Sequence, residues 1–110
     1  MATQEASGTV TPTTVGTEQT VTTITTSKPF QAFVDISALQ AGEYVQLNIK
    51  RKVLSGGTSR YIEKRIYSWL DAAMTPIVFF GGLLSTSEYD LTINQLTGTA
   101  RAFPWAVETP

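Results

Sequence analysis

The chain has 110 residues, a length that allows one domain with one hydrophobic core. Hydrophobic residues make up 42% and charged residues 15%, which is typical of a globular protein, and the net charge of −1 gives no general attraction to nucleic acid or anionic membranes. Cysteine and histidine are both absent, which excludes disulfides, thiolate metal sites and nucleophiles activated by an imidazole. We therefore expect a non-enzymatic protein with no catalytic residues, no cofactor and no metal.

The N-terminal part is rich in threonine and holds almost nothing large enough to bury. It shows neither the charged nor the apolar segment of a signal peptide, and no run approaches the roughly 20 apolar residues of a membrane span. We expect residues 1–17 to be a flexible or extended arm and residues 18–110 to form a β-sandwich domain. Two interpretations of the arm stay open: an unstructured tail, or a segment that orders against a neighbouring subunit. Residues 18–26 favour extended backbone and could supply an edge strand.

Two alternating stretches follow, FQAFVDI (30–36) and EYVQLNIKRKV (43–53), and each places its apolar residues on one face. The predicted inner residues are Phe30, Ala32, Val34, Ile36, Val45, Leu47, Ile49 and Val53. SGGTS (55–59) then predicts a hairpin loop. Both stretches are therefore expected to be half-buried strands.

The returning strand, RYIEKRIYSWL (60–70), is apolar on both faces. One face carries Ile62, Ile66 and Leu70, and the other carries Tyr61, Tyr67 and Trp69. Either this strand is central and covered on both sides, or one face is kept for a partner. PIVFF (76–80) predicts a further buried strand, and no helix is expected, because SALQA and WLDAAM are too short to sustain the helical period.

The final stretch, LTINQLTGTARAFPW (91–105), predicts a hairpin. Gly98 suits the left-handed position of a three-residue loop over residues 96–98. The resulting register pairs Gln95 with Thr99, Ile93 with Arg101, Leu91 with Phe103 and Tyr89 with Trp105. Pro104 cannot donate to a strand ladder and so indicates an edge strand or a bulge. About seven short strands then predict an all-β fold, a β-sandwich or a small jelly roll.

Basic residues are gathered on the predicted hairpin over residues 50–65. The cluster consists of Lys50, Arg51, Lys52, Arg60, Lys64 and Arg65. It could be an ordinary solvated hairpin, a nucleic-acid-binding patch with interleaved tyrosines, or a docking surface for an acidic protein. The aromatic side chains allow a further alternative, because Trp69, Trp105 and the tyrosines could form a platform for sugar rings.

The segments FQAFVDISALQAGEYVQLNIKRKV and YDLTINQLTGTARAFPWAVE resemble the small β-sandwich structural proteins of tailed-bacteriophage virions, including capsid decoration or cement proteins. The likeness covers the chain from about residue 28 to about residue 108. It implies a protein that is made in the host cytoplasm and located on the capsid surface of the virion. Its implied partners are the lattice of the major capsid protein and further copies of the chain, as a dimer or trimer, with an extended arm across subunit joints.

The leading hypothesis is therefore a capsid decoration or cement protein that binds the outer capsid surface and stabilises it across subunit junctions. The alternatives are a carbohydrate-binding or adhesion β-sandwich on a phage head or tail, and a nucleic-acid-binding module that uses the hairpin over residues 50–65. The candidate partner-binding residues come from the sequence pattern alone and not from the resemblance. They are Thr9, Thr11, Thr13, Thr14, Lys50, Lys52, Arg60, Tyr61, Arg65, Tyr67 and Trp69.

Overall fold

The structure, a computed structural model, describes residues 3–25, 29–52, 56–84 and 88–110. Its elements are β1 (Thr3–Val10), β2 (Gln19–Ile24), β3 (Pro29–Asp35), β4 (Tyr44–Arg51), β5 (Arg60–Ser68), α1 (Trp69–Met74), β6 (Ile77–Leu84), β7 (Tyr89–Gln95) and β8 (Phe103–Thr109). The strands form two antiparallel four-stranded sheets, in the orders β1-β8-β3-β6 and β2-β7-β4-β5. The all-β sandwich predicted from the sequence is confirmed, with eight strands instead of about seven.

The strand partners follow one rule along the chain. β1 pairs with β8, β2 with β7, β3 with β6 and β4 with β5. The chain is thus a long antiparallel ribbon with the β4–β5 hairpin at its tip, wrapped so that successive pairs fall alternately in the two sheets. Two further ladders, β3 with β8 and β4 with β7, complete the sheets. This is the strand arrangement of a jelly roll.

The core lies between the two sheets and is built by the alternating residues of the inner strands. Phe30, Val34 and Ile36 are fully buried on the β3 side, and Leu47 and Ile49 face them from β4. The other predicted inner residues of these two stretches, Ala32 and Val45, are also buried. Val53 lies outside the described residues. The period-two pattern predicts these faces correctly because each strand has one side against the core.

The segment expected to be an N-terminal arm is extended, and its described part belongs to the sheet. β1 is paired with β8 from Thr3 to Val10, with one irregularity between Gln4 and Ala6. β1 and β2 lie at the edges of the two sheets on the same side of the sandwich. Gly8 passes directly over the indole of Trp105, where an added Cβ would lie 3.3 Å from the ring. The threonine-rich sequence therefore supplies an edge strand of this domain itself.

The predicted hairpin between the last two strands is wrong. β7 pairs with β2 and β4, whereas β8 pairs with β1 and β3, so the two strands lie in different sheets. Leu91 and Phe103 are both completely buried, but they belong to opposite sheets and are not cross-strand neighbours. The Tyr89–Trp105 pair fails for the same reason, and the Ile93–Arg101 pair fails because Arg101 lies in the connection before β8. β7 and β8 face each other across the core, where each buries its inner residues against the opposite sheet.

The connection between β7 and β8 is held by side chains in place of a strand ladder. The Gln95 amide donates to the carbonyls of Thr97 (3.0 Å) and Thr99 (2.6 Å), and its oxygen accepts from the backbone N–H of Arg101 (3.0 Å). Gly98 has the predicted left-handed backbone, with φ of +88°. β8 is an inner strand and not the edge strand that Pro104 indicated. Pro104 is tolerated because it pairs only with β1, beyond the point where the β3 ladder ends.

β5 and β6 are the edge strands on the other side of the sandwich. β5 therefore has a neighbouring strand on one edge only. This excludes the interpretation of β5 as a central strand, and the interpretation that one of its apolar faces is kept for a partner stays a prediction. WLDAAM forms α1 between β5 and β6, so the expectation of no helix is wrong for this short segment. A capping box explains it, since the Ser68 hydroxyl accepts from the Asp71 N–H while the Asp71 carboxylate accepts from the Ser68 N–H. β6 is only half buried, because Phe80 faces the core while Phe79 is exposed.

Candidate functional site

Large exposed apolar side chains are concentrated on one side of the molecule. Among the described residues, those with substantial exposure are Tyr44, Tyr61, Ile62, Ile66, Trp69, Leu70, Met74, Ile77 and Phe79. Eight of the nine lie on β5, α1 and β6, and the ninth is on β4 opposite Ser68 of β5. We call this set the apolar side. It is the largest departure of the described surface from an ordinary mixture of scattered apolar residues, and such patches mark interaction sites.

Helix α1 gives the apolar side its most exposed residues. The helix has six residues, and its buried side chain is that of Ala72. Leu70 is 65% exposed and Met74 is 84% exposed. Because α1 is short and buries only Ala72, its large side chains remain exposed to solvent. α1 therefore adds little to the core and presents apolar surface to the outside.

Arg65 joins the two edge strands of this side. Its Nη1 donates to the Phe79 carbonyl at 2.7 Å, its Nε donates to the Glu63 carboxylate at 2.8 Å, and its guanidinium lies over the Phe80 ring at 4.3 Å. Arg65 thus satisfies a carbonyl of the β6 edge and packs across the gap between the sheets. A shallow groove of about 630 Å³ lies beside it, with Tyr67 also in its wall.

The outer face of the second sheet carries a polar cluster centred on Glu18. The Tyr61 hydroxyl donates to the Glu18 carboxylate at 2.7 Å, Thr92 donates at 2.8 Å, and the Asn48 amide donates at 3.0 Å. The ammonium groups of Lys50 and Lys64 lie 5.0 and 4.1 Å from the centre of the Tyr61 ring. Tyr61 is therefore fixed at both its hydroxyl and its ring.

These contacts shift the acidity of both members of the central pair. Burial acts to raise the pKa of Glu18, but the hydrogen bonds from Tyr61 and Thr92 and the charge of Lys50 outweigh it, so this pKa lies below its usual value. The hydrogen bond to Glu18 raises the pKa of Tyr61. Glu18 is thus held as a carboxylate and Tyr61 as a neutral phenol near neutral pH, which suits a fixed polar contact.

The basic residues do not form one open patch. Lys50 and Lys64 flank Tyr61 on the outer face, whereas Arg65 points toward the other sheet. Lys52 pairs with Glu88 at 3.3 Å, and the guanidinium of Arg51 lies over the Tyr89 ring at 5.2 Å. Arg60 is exposed at the start of β5. Because the cations are divided among separate contacts, the structure gives the nucleic-acid interpretation no continuous phosphate-binding surface among the described residues.

The threonine candidates lie away from the other candidates. Thr9 is exposed on β1, and Thr11, Thr13 and Thr14 are exposed in the connection from β1 to β2. β1 and β2 are edge strands on the side of the sandwich opposite β5 and β6. The structure therefore brings Arg65 and Tyr67 together on the inner side of β5, places Tyr61 with Lys50 on its outer face, and separates all of them from the threonines.

The tryptophans do not share a platform for sugar rings. Trp69 begins α1 and is 40% exposed, whereas Trp105 is on β8 and packs against the hydrophobic core. Tyr89 is buried, with its ring edge-on to that of Phe30 at 5.2 Å. The aromatic residue that remains on an open polar face is Tyr61, within the Glu18 cluster.

One strong polar contact was not foreseen from the sequence. Glu43 is buried and accepts two hydrogen bonds from the Arg101 guanidinium, both at 2.9 Å, and one each from the N–H groups of Gln40 (2.8 Å) and Thr99 (3.1 Å). The hydrogen bond from Arg101 is the main cause that lowers the pKa of Glu43 to about 2. The pair joins the β3–β4 connection to the β7–β8 connection. The two residues are 58 positions apart, so no local sequence pattern could have indicated this contact.

Comparison of the chain with protein-family models, with curated proteins and with solved structures found no match. Within the described ranges, no helix has the length and apolar character required to cross a bilayer. The interpretation of the site consequently depends on the chemistry of the surfaces described above.

Proposed function

We propose that this chain is a non-enzymatic structural protein of a tailed-bacteriophage virion, a decoration or cement protein that binds the outer capsid surface and stabilises it across subunit junctions. The observation that carries the contact role is the apolar side, formed by β5, α1 and β6. The virion location is supported by the sequence resemblance. In this proposal the partner is the lattice of the major capsid protein, and the chain is located on the virion surface.

The apolar side has the chemistry of a protein-docking surface. Leu70, Met74, Ile77 and Phe79 are between about half and four-fifths exposed. Complete burial of such side chains contributes about 1.5 to 3 kcal/mol each, so covering the part that is still exposed gives roughly 1 to 2 kcal/mol each. Four such side chains can offset a substantial part of the cost of association. A partner that covers α1 and the outer face of β6 is therefore favoured.

The jelly-roll arrangement agrees with the proposal without deciding it. This architecture is used by viral capsid domains and also by lectins. A fold alone does not assign a function, because unrelated sites occur on the same architecture. The proposal therefore depends on the position of the apolar residues and on the sequence resemblance.

The test measures attachment of purified protein to expanded capsids of the parent phage by co-sedimentation. A variant with Leu70→Lys and Met74→Lys places two charges on α1, and we expect at least a tenfold loss of capsid binding. A matched control, Thr11→Lys with Thr14→Lys, adds the same charge to exposed positions on the opposite side. The control should bind like the unmodified chain. Loss of binding in the control alone would transfer the contact to the threonine-rich edge and contradict the role of the apolar side.

A carbohydrate-binding role is the second candidate, and the cluster around Tyr61 favours it. The Tyr61 ring, 42% exposed, and the partly exposed Glu18 carboxylate lie together on the outer sheet face above the buried side chains of Asn48 and Thr92, and an aromatic ring beside a polar group is the chemistry that sugar sites use. A glycan panel would test this role with the unmodified chain and with Tyr61→Ala. Binding that the Tyr61 substitution abolishes, together with no affinity for capsids, would favour this second candidate.

A further inference from the structure

The methionine of α1 is the most exposed large apolar side chain among the described residues. The sequence has two methionines, Met1 and Met74, and Met1 lies outside the described residues. Met74 is 84% exposed, and it stands four residues after Leu70, so the two side chains share the outer face of the helix. We propose that Met74 is a site of reversible oxidation by hydroperoxides, and that its sulfoxide form makes the apolar side more polar and weakens docking.

The reaction requires a thioether that solvent reaches and a peroxide. A lone pair of the Met74 sulfur attacks one oxygen of hydrogen peroxide, so that an S–O bond forms and the O–O bond breaks. The sulfur gives up an electron pair, the peroxide is reduced, and the departing oxygen leaves as water with both peroxide protons. The product is methionine sulfoxide, which methionine sulfoxide reductases convert back to methionine. Cysteine, the other sulfur side chain that peroxide oxidises, is absent from the sequence.

Oxidation at Met74 changes the surface of the protein and leaves the core intact. α1 buries Ala72, and the capping box of Ser68 and Asp71 fixes its first turn. The Thr75 N–H fixes its end, where it donates to the Asp71 carbonyl at 2.8 Å. These contacts do not involve the Met74 side chain. A sulfoxide disrupts packing when it lies in an interior, whereas at this position it lies in solvent.

The position of Met74 gives its oxidation a consequence for docking. Ile77, which follows α1 in the chain, is 54% exposed and belongs with Thr75 to the wall of the shallow groove beside Arg65. A partner that covers α1 and this groove takes the sulfoxide oxygen out of water, and a buried oxygen without a hydrogen-bond donor opposes association. Methionine is common on adaptable contact surfaces, and its sulfur makes such a surface sensitive to oxidants. The consequence for docking rests on the proposed function, whereas the oxidation itself does not.

The first measurement is the rate of oxidation in the isolated chain. Folded protein is treated with dilute hydrogen peroxide, and the sulfoxide at Met74 is followed with time by peptide mass spectrometry. We expect Met74 to react within about threefold of the rate of N-acetylmethionine amide in the same solution, because solvent reaches most of its side chain. A rate more than about tenfold slower would overturn the site.

The second measurement is retention in hydrophobic-interaction chromatography, which reports apolar surface without any partner. The unmodified chain should elute earlier after peroxide treatment than before it. Treatment with methionine sulfoxide reductases of both stereospecificities and dithiothreitol should restore its retention. Met74→Leu keeps an apolar side chain without the sulfur, so its retention should be the same before and after peroxide. An equal shift of the unmodified chain and of Met74→Leu would assign the effect to other side chains and overturn the proposal.

Co-sedimentation with expanded capsids of the parent phage then separates this inference from the proposed function. Peroxide should weaken binding by the unmodified chain at least about tenfold, and the reductases should restore it. Equal binding before and after oxidation would overturn the effect on docking and leave the proposed function standing. No binding by the reduced chain would contradict the proposed function and with it the effect on docking. The reaction rate and the retention shift would still decide whether Met74 is an oxidation site that makes the apolar side more polar.

Discussion

Replacement of Glu43 by glutamine tests whether the contact with Arg101 stabilises the fold. In the structure each oxygen of the Glu43 carboxylate accepts two hydrogen bonds. Oε1 accepts from the Gln40 N–H and from Arg101 Nε, and Oε2 accepts from the Thr99 N–H and from Arg101 Nη2. Glutamine has nearly the same shape, but its amide nitrogen cannot accept. Two N–H donors therefore lose their acceptor in whichever orientation the amide adopts.

The magnitude follows from the two lost contacts. A hydrogen bond to a charged group contributes about 1.5 to 3 kcal/mol, so two of them give roughly 3 to 6 kcal/mol. The Arg101 side chain is 31% exposed, which lets water solvate part of the guanidinium after the substitution. We therefore expect Glu43→Gln to lower the free energy of unfolding by about 3 kcal/mol. This is a large share of the roughly 5 to 15 kcal/mol that stabilises a typical domain.

The same contact predicts how stability depends on pH. The pKa of Glu43 is lowered from 4.5 to about 2 in the folded chain. Because the folded pKa is the lower one, the unfolded chain takes up the proton first, and the stabilisation by Glu43 is complete above pH 4.5 and is lost as the pH falls toward 2. The glutamine side chain of the variant does not titrate in this range, so the difference between the two proteins should shrink over that window.

Urea unfolding followed by tryptophan fluorescence at several pH values between about 7 and about 2 measures both effects. Glu88→Gln is the matched control, because Glu88 forms an exposed ion pair with Lys52 and its loss should cost no more than about 1 kcal/mol. A cost below about 1 kcal/mol for Glu43→Gln near neutral pH would refute the reasoning. The reasoning would also be refuted if the free energies of unfolding of the variant and the unmodified chain differed by the same amount throughout the acidic range.

Four further predictions concern the fold and the Tyr61 cluster. Far-ultraviolet circular dichroism should show a β spectrum, and a helical content near one third would contradict the sandwich. Phe103→Ala should lower the free energy of unfolding measured in urea by about 3 to 5 kcal/mol, because Phe103 is completely buried. A decrease below about 1 kcal/mol would exclude a buried position for Phe103. Gly98→Ala should lower the free energy of unfolding by at least about 1 to 2 kcal/mol, and with it the melting temperature, because φ is +88° and an added Cβ would clash with Glu43. An unchanged melting temperature would contradict this geometry. Tyr61→Phe removes a hydrogen bond to Glu18, so NMR titration should show the Glu18 pKa rising, and an unchanged pKa would exclude that bond.

The sequence predicted the faces of the inner strands and the all-β class, but it did not predict which strands pair. The alternation from Phe30 to Ile36 is a local signal, because burial on one face fixes it residue by residue. Strand pairing in a jelly roll depends on contacts between distant segments, such as β1 with β8. The left-handed backbone of Gly98 was predicted correctly, but the three-residue hairpin loop was not, because residues 96–102 connect strands of two different sheets. A glycine with a left-handed backbone occurs in either kind of connection, so it could not tell them apart.

The sequence predicted only part of the candidate site, and the rest was missed for a similar reason. The apolar character of both faces of β5 indicated a covered strand or a partner-binding face, and its position at the sheet edge excludes a covered central strand. The basic cluster looked continuous along the hairpin, but successive residues of a strand face opposite sides. Arg65 therefore points inward to Phe79 while Lys64 lies outside. Contacts such as Glu43 with Arg101 join distant segments and leave no local signal.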